Sequence, residues 1–364
     1  MANLPCLTAD LPAVAGVLKE MPADFVVEEI PAYQPCGDGE HLFLWIEKED
    51  VAADALVRHL ASALGVRRDD IGVAGLKDRR AITRQFVSVP ASAESKVGSA
   101  GAEAIRILSA TRHTNKLKTG HLKGNRFSIL LRPPSTSSSE MRGDDPVARL
   151  DRAAAIVETL RERGVPNYFG EQRFGHGGET LSLGFALLRG EKSTRDIPPA
   201  RRKFLLRLAL SAAQSELFNR TLVDRLERRE LRTVLAGDVL RKSATGGLFV
   251  AVDAAVEQQR LDAGELQVTG PLFGPKMPVP QGVPAERERS ILAAAELPDD
   301  AFGRYPKLTA GARRPLLVDV SDLGVAAESD GLRFSFTLPS GAYATVVLRE
   351  MTRSDGNATA AAVP

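Results

Sequence analysis

The first 130 residues carry the alternating or continuous apolar patterns of β-strands, interrupted by one helical pattern. The helix is predicted over residues 52–65, because its apolar positions recur at helical spacing and Gly65 stands where a helix C-cap is expected. The strands are predicted at 41–48, 70–76, 81–89 and 127–132. Asp78 therefore falls in a loop between two predicted strands, a position from which side chains are often presented to ligands.

The rest of the chain is predicted to hold two more helices and then three more strands. A polar segment at 133–146 predicts a loop, and the pair Asp145-Pro146 then suits the start of a helix that stops at Gly164. A long helix is predicted over about 199–226. Strands are predicted at 315–320, 332–339 and 342–350. Strand-rich ends around a different middle indicate a domain inserted into a sheet domain.

Charge is distributed unevenly along a chain whose net charge is only +2. The segment 106–132 contains seven Lys or Arg and no Asp or Glu, and 58–84 contains seven bases and three acids. By contrast, 253–300 contains nine acids and four bases. A polarised surface with basic patches favours binding of a phosphate-bearing partner.

Several classes of chemistry are excluded by what the sequence lacks. The two cysteines, Cys6 and Cys36, form no CxxC motif, and the five histidines show no ligand spacing, so we expect no metal site. No P-loop and no GxSxG nucleophile motif is present. No apolar run reaches the roughly 20 residues of a membrane span, and we expect a soluble, cytoplasmic protein.

Three segments carry candidate chemistry, and each also has a purely structural interpretation. Asp78 in "GLKDRRAITRQF" is either an ordinary ion-pair partner of Lys77 or Arg80, or a carboxylate kept ionised for chemistry on a polyanion. Asn125 in "HLKGNRF" either binds a ligand or belongs to a turn into a strand. Tyr343 in "PSGAYAT" either stacks on a ligand or is a half-buried strand tyrosine. The residues alone leave these alternatives open.

The chain resembles the tRNA pseudouridine synthase D (TruD) family in seven segments that occur in family order. They are "LKEMPADFVVEE", "AGLKDRRAITRQFVSV", "LKGNRFSILLR", "GVPNYFGEQRFG", "SAAQSELFNRTLVDRL", "GPLFG" and "LPSGAYATVVLRE". The resemblance implies an α+β fold, in which a pseudouridine-synthase catalytic domain with a mixed β-sheet flanked by helices carries an inserted α/β TRUD domain. It implies a catalytic domain over 1–164 and 315–352 and the insert over 165–314, while the last residues, 353–364, are predicted from the sequence itself to be a disordered tail.

The resemblance further implies an isomerase without cofactor or metal, which converts a uridine of tRNA, position 13 in the bacterial family, into pseudouridine. Asp78 matches the catalytic aspartate, Phe25 a residue that contacts the substrate nucleotide, and Lys19 a residue that ion-pairs in the site. Asn125 would hold the uracil edge or the ribose. Tyr343, which stands where the family commonly has phenylalanine, would stack on the flipped base. Whether Asp78 acts on C1′, on C6 or at the 2′ position stays open.

The basic side chains around these motifs are expected to contact RNA phosphates, and tRNA is the expected partner of a monomeric enzyme. The candidates are Lys77, Arg79, Arg80, Lys116, Lys118 and Lys123. The alternative function is a catalytically silent RNA-binding protein or RNA chaperone on the same scaffold, which need not keep Asp78. A zinc-dependent base deaminase is disfavoured, because the Cys and His ligands that it needs are missing.

Overall fold

The computed structural model describes residues 4–134, 145–298 and 300–353. Most of the predicted loop at 133–146 and of the predicted tail at 353–364 lies outside the described residues. The helices are α1 Ala53–Leu64, α2 Pro146–Arg163, α3 Glu179–Arg189, α4 Arg202–Glu227, α5 Ala254–Asp262, α6 Gly282–Ala294 and α7 Ala344–Thr352. No helix in the described ranges combines the length and apolar character needed to cross a membrane.

Fifteen strands are present in the described ranges. They are β1 Val17–Leu18, β2 Phe25–Pro31, β3 His41–Glu49, β4 Gly72–Val73, β5 Ile82–Pro90, β6 Ile105–His113, β7 Leu122–Arg132, β8 Val165–Pro166, β9 Val239–Lys242, β10 Leu248–Val250, β11 Leu266–Leu272, β12 Ala312–Pro315, β13 Leu317–Val318, β14 Gly324–Glu328 and β15 Gly331–Pro339. The mixture of helices and mixed sheet confirms the predicted α+β class.

The described chain forms two compact units. One contains the chain up to Ala9, Arg163–Asp319 and Thr345–Glu350; the other contains Asp10–Glu162, Val320–Ala344 and the chain from Met351. We call the first the middle unit and the second the sheet unit. The domain limits predicted at 164/165 and 314/315 stay predictions.

The sheet unit is built on a nine-stranded mixed sheet. Its strand order is β14-β15-β7-β2-β5-β3-β6, with β1 also paired to β7 and β4 also paired to β5. β2 and β5 run parallel, and the other pairs are antiparallel. Strands from both ends of the chain thus share one sheet, and β2, β5 and β7, which follow or contain the sequence motifs, are neighbours within it.

The period of two along β3 explains how this sheet is packed. Leu42, Leu44 and Ile46 point to one face and bury against Leu56 and Leu60 of α1. The intervening residues of β3 point to the other face, where Phe43 lies in a smaller cluster with aromatic and aliphatic neighbours. Burial of a side chain of this size contributes about 1.5–3 kcal/mol, so the alternation fixes which face each strand residue occupies.

The middle unit has its own sheet and its own core. Its four-stranded sheet has the order β10-β9-β11-β12, and the 26-residue helix α4 supplies much of the buried surface, including Leu210 and Leu217. A buried ion pair joins Arg313 to Glu288, with 2.8 Å between Nη1 and Oε1. Burial raises the pKa of Glu288, and the Arg313 guanidinium opposes that rise.

Two of the C-terminal predictions differ from the structure. The segment 342–350, predicted as a strand, is helix α7 from Ala344. The buried residues Ala344, Val347, Leu348 and Met351 recur at the helical spacing i, i+3, i+4 and i+7, a period that the β-branched residues of the segment obscure. The predicted strand at 315–320 is divided into the end of β12 and the short β13. The predicted strand at 332–339 and the long helix at about 199–226 are confirmed.

Candidate active site

Asp78 lies between β4 and β5, and its side chain is about half exposed (47%). The ion-pair partner that the structure gives it is Lys19, whose Nζ is 3.0 Å from Asp78 Oδ2. Lys77 and Arg80, the partners considered from the sequence, bond elsewhere, as described below. The carboxylate is thus ionically paired and still accessible, the combination that a carboxylate needs to act on a ligand.

Lys48 holds the main chain of Asp78 from below. Its side chain is fully buried, and its Nζ donates to the carbonyl oxygen of Asp78 at 2.9 Å and to that of Val51 at 2.7 Å. Burial lowers the pKa of Lys48 to about 8, while the charges of Asp78 and Asp50 act in the opposite direction. Through these two hydrogen bonds, the buried Lys48 anchors the loop that presents Asp78.

A second buried lysine anchors the residue next to Asp78. Lys77 Nζ donates to Glu29 Oε2 at 2.7 Å, and both side chains are nearly inaccessible. Glu29 belongs to β2, so the pair ties the Asp78 loop to the centre of the sheet. Because the Lys77 ammonium is buried on Glu29, this geometry does not favour the phosphate contact expected for Lys77.

Lys19 adopts a backbone conformation that is rare for its residue type. Its φ of +58° lies in the left-handed region, which costs a side-chain-bearing residue roughly 1–3 kcal/mol. In this conformation its Nζ lies 3.9 Å from the ring centroid of Phe25 as well as on Asp78. A cation over an aromatic face is attracted to it, by about 0.5–2 kcal/mol. Phe25 thus helps to aim the ammonium at Asp78.

Phe25 is buried at 2% exposure, which argues against the direct contact with the nucleotide that the resemblance implied. It begins an aromatic layer on the sheet. Its ring meets Phe127 edge-on at 6.2 Å, and Phe127 stacks on Phe336 at 5.2 Å. These three rings come from β2, β7 and β15, and they make the layer beneath the site rigid.

Four buried side-chain oxygens on neighbouring strands have no hydrogen-bond donor in the structure. They are Glu29 Oε1, Thr83 Oγ1, Gln85 Oε1 and Asn125 Oδ1. Asn125 lies directly opposite Glu29 across β7 and β2, and Thr83 is in register with Val27 on the parallel pair β2 and β5. A buried acceptor without a donor costs about 1–3 kcal/mol, so this group favours a ligand or water that supplies N–H or O–H donors.

Tyr343 reaches the same region through the turn after β15. Pro339 at the end of β15 pairs with Gly124, beside Asn125, and the Ser340 N–H donates to the Lys123 carbonyl oxygen at 3.0 Å. Gly124 permits this approach, because a Cβ there would lie 2.2 Å from the Leu338 carbonyl oxygen. Tyr343 is half-buried and directly precedes α7, so it belongs to a loop and not to the predicted strand.

The remaining basic candidates differ in how free they are to meet RNA. Arg79 is exposed and forms an ion pair of 3.5 Å with Asp50, and Arg80 donates to the Glu20 carbonyl oxygen at 3.3 Å. Lys123 is exposed on β7, two residues from Asn125. Their positions near the Asp78 loop and Asn125 keep them candidates for phosphate contacts.

Lys116 and Lys118 lie in the loop between β6 and β7. The Lys116 ammonium contacts the carbonyl oxygen of Asp69, and Lys118 is exposed. Both line a cavity that is described separately below.

Sequence reasoning missed Lys48 and Glu29, and the alternation of the strands contains the signal that would have found them. Lys48 follows Leu42, Leu44 and Ile46 on the face of β3 that packs against α1. Glu29 likewise follows Phe25 and Val27 on the buried face of β2. A charged residue at an inward position needs a buried partner and marks a specific interaction. Within the described residues, no cluster of His, Cys, Asp or Glu could hold a metal ion.

Comparison with known proteins agrees with the geometry. The family model of tRNA pseudouridine synthase D (TruD) matches residues 1–195 and 199–351. A relative from Anaeromyxobacter dehalogenans, named tRNA pseudouridine synthase D, is 42% identical over 98% of both chains. A relative of the same name from Thermus thermophilus is 41% identical and covers 96% of this chain and 92% of its own.

A solved structure shows the same fold. The protein from Methanosarcina mazei, described as a candidate tRNA pseudouridine synthase D, superposes with a TM-score of 0.75 at 24% identity, and 97% of each chain is covered. The family model matches nearly the whole of this chain, and relatives of that name are more than 40% identical to it. This chain therefore belongs to the tRNA pseudouridine synthase D (TruD) family.

Proposed function

We propose that this protein converts a uridine of tRNA into pseudouridine and that Asp78 is the catalytic carboxylate. The observation that carries the proposal is the construction around Asp78: an accessible carboxylate paired with Lys19, on a loop anchored by two buried lysines. The relatives named tRNA pseudouridine synthase D support the same reaction.

The reaction requires one bond to break and another to form at the same sugar carbon. The C1′–N1 bond of uridine breaks, the base turns, and a C1′–C5 bond forms; the proton on C5 leaves, and N1 takes up a proton. The atoms involved are out of reach in a stacked helix, so the nucleotide must leave the stack, which costs a few kcal/mol. A base that stacks on an aromatic ring recovers about 1–3 kcal/mol, and Tyr343 is the half-buried aromatic side chain proposed for that contact.

The unpaired acceptors beside Asp78 suit the donors of a uridine. The N3–H of uracil and the hydroxyls of ribose are hydrogen-bond donors, and Asn125 Oδ1 and Glu29 Oε1 lack one. We assign Asn125 to the uracil edge or the ribose, in agreement with the family resemblance. Phe25 supports the site through Lys19 and the aromatic layer.

Three finer features extend the proposal. The modified nucleotide is position 13 of tRNA, the position expected for bacterial members of the family. The protein acts in the cytoplasm, and it acts as a monomer. Mapping of pseudouridine in tRNA after reaction with the purified protein tests the position, since a modification at any other position would contradict it. Light scattering of the protein in solution tests the monomer.

The reaction and the residue are tested together by release of tritium from C5 of uridine-labelled, unmodified tRNA. We expect the wild type to release tritium and Asp78→Asn to release none. The Kd of Asp78→Asn for tRNA should stay within about threefold of the wild-type value, because the substitution removes only one exposed charge. Asp54→Asn, on the exposed side of α1, is the matched control and should release tritium normally. Tritium release by Asp78→Asn would support the proposed reaction but would reject Asp78 as the catalytic carboxylate. No release by the wild type from a full tRNA pool would favour the silent RNA-binding alternative.

A further inference from the structure

The loop between β6 and β7, the start of β3 and the segment after β2 line a solvent-open cavity of about 510 Å³ in the sheet unit. Three of the five histidines of the chain line it, His41, His113 and His121. Tyr33, Lys116 and Lys118 line it as well and add further hydrogen-bond donors. None of the described residues that line it is acidic. Its volume lies within the range of about 300–1,000 Å³ that is usual for small-ligand sites.

The rings of this cavity are held in place by one another. Tyr33 Oη and His121 Nδ1 are 2.7 Å apart, and the Tyr33 ring stacks on His113 at 5.1 Å. His113 also meets Phe43 edge-on at 4.7 Å and lies directly opposite His41 across β6 and β3. A binding site whose side chains are already fixed loses little entropy when a ligand enters.

The chemistry of the lining selects an anion. Two ammonium groups supply positive charge and hydrogen-bond donors, the imidazoles add ring N–H donors, and His41 Nδ1 is buried without a partner. The described residues contain no His, Cys, Asp and Glu cluster suited to a metal, so the histidines do not form a metal site. Apart from Tyr33 and His41, the lining residues come from the acid-free segment 106–132, the most basic part of the chain. A phosphate group matches this donor set best.

The cavity is distinct from the candidate active site. Lys48, which bonds the main chain of Asp78, and His41 stand seven residues apart on β3, about 24 Å at 3.4 Å per residue. The His121 end is nearer, because the N–H of the adjacent Gly120 donates to the carbonyl oxygen of Ala74, four residues before Asp78. A phosphate at the His41 end of the cavity is too far from Asp78 to belong to the nucleotide whose base reacts there. Any RNA phosphate bound there belongs to a different nucleotide.

We propose that this cavity is a second RNA site, which binds a backbone phosphate of the tRNA away from the uridine that reacts. The proposal rests on tRNA being the substrate, as proposed above. Lys118 and Lys116 neutralise the phosphate, and His113, His121 and His41 direct hydrogen bonds to its oxygens. The site contributes to tRNA affinity and not to the chemical step.

Lys118→Gln and His121→Gln test the proposal, with Lys96→Gln as a control that removes an exposed positive charge from the same unit but outside the cavity. We expect Lys118→Gln to raise the Kd for unmodified tRNA about 3- to 10-fold and to reduce the slope of log K against log salt by about 1. His121→Gln should raise the Kd about threefold. The single-turnover rate at saturating tRNA should stay at the wild-type value, and Lys96→Gln should change none of these quantities.

A second measurement separates RNA phosphate from free phosphate. Inorganic phosphate is titrated into the wild type while the histidine ring signals are followed by NMR. Perturbed histidines together with weakened tRNA binding in the variants support the proposal; perturbed histidines with unchanged tRNA binding identify a free-phosphate site and overturn it. Unchanged tRNA affinity and salt slope in both variants also overturn it, as does an equal loss of affinity and of single-turnover rate. Failure of tritium release by the wild type, with weakened binding in the variants, would reject the proposed reaction alone.

Discussion

Lys48 is the residue on which the position of Asp78 depends most directly. Its fully buried ammonium bonds two main-chain carbonyl oxygens, those of Asp78 and Val51, and so fixes where the Asp78 loop leaves the sheet. A displacement of about 1 Å in a reacting group can cost about 10²-fold in rate. We expect Lys48→Met to lower the single-turnover rate by about that factor while tRNA affinity stays unchanged. Tritium release at saturating tRNA measures the first and filter binding the second.

The buried position of Lys48 also makes the stability of the protein depend on pH. The pKa of Lys48 is lowered by burial to about 8 from 10.5, so between these values the unfolded chain holds a proton that the folded chain has released. Stability therefore rises with pH in this window, by up to about 1.4 kcal/mol per pH unit. The wild type should gain stability relative to Lys48→Met from pH 8 to pH 10. A constant difference between them would show that burial does not lower the pKa of Lys48.

Substitutions of Tyr343, in the loop between β15 and α7, test whether its ring or its hydroxyl is needed for turnover. We expect Tyr343→Ala to lower turnover strongly, by about 10- to 100-fold, because a stacked ring stabilises a flipped base by about 1–3 kcal/mol. Tyr343→Phe keeps the ring and should lower turnover less than about threefold. Kinetics of tritium release measures both. Equal behaviour of the two variants would reject the stacking role.

Single elements of the sheet unit are joined by buried polar contacts as well as by apolar packing. The turn before β2 and the end of β7 are linked by Asp24 and Arg132, whose two hydrogen bonds measure 2.7 and 3.0 Å. Asp24 is buried at 1% exposure. Burial by itself would raise the pKa of Asp24, but the bonds from Arg132 and from the Met21 N–H lower it overall. This contribution to stability is therefore present at neutral pH and is lost as pH falls below the ordinary range of an aspartate.

Removal of Arg132 would leave the buried Asp24 carboxylate without its cationic partner, although the Met21 N–H still donates to it. We expect Arg132→Met to lower the free energy of unfolding more than the same change at an exposed arginine does. Arg126→Met, an exposed arginine on the same strand that pairs with Glu28 at 3.2 Å, should cost less than about 1 kcal/mol. Urea unfolding followed by the fluorescence of Trp45, the single tryptophan, reports on the sheet unit that holds all these residues. Equal costs in the two variants would contradict the role of the Asp24 pair.

At the scale of the whole molecule, the uneven charge matters more than the net charge of +2. Basic residues in the sheet unit surround the candidate site, while the acidic segment 253–300 belongs to the middle unit. We expect Lys123→Gln, exposed beside Asn125, to weaken tRNA binding and to reduce its salt slope by about 1. Lys276→Gln, exposed in the acidic segment, should change neither. Fluorescence titration of labelled tRNA from 50 to 200 mM salt measures the affinity and the salt slope. If Lys276→Gln reduced the salt slope as much as Lys123→Gln does, the RNA would not bind specifically beside Asn125.

The sequence by itself determined the elements and the motif residues of this protein. Strand alternation in "HLFLWIEK" and helical spacing in α1 are local properties, set by which side chains can be buried on one face. The segments around Asp78, Asn125 and Tyr343 were identified from their charged, glycine and aromatic residues, and they are among the seven segments that resemble the family. The prediction at 342–350 was wrong where β-branched residues hid a helical period that continues to Met351.

Only the tertiary structure decided which groups meet. Lys19 and Asp78 are 59 residues apart and Lys77 and Glu29 are 48 apart, so their pairing depends on the order of strands in the sheet and not on sequence spacing. The nearest cations in the sequence are not the partner of Asp78, since burial commits Lys77 to Glu29. The same strand order brings the histidines of β3 and β6 opposite each other. Periodicity specifies faces, whereas partners are specified by long-range packing, which a single sequence does not display.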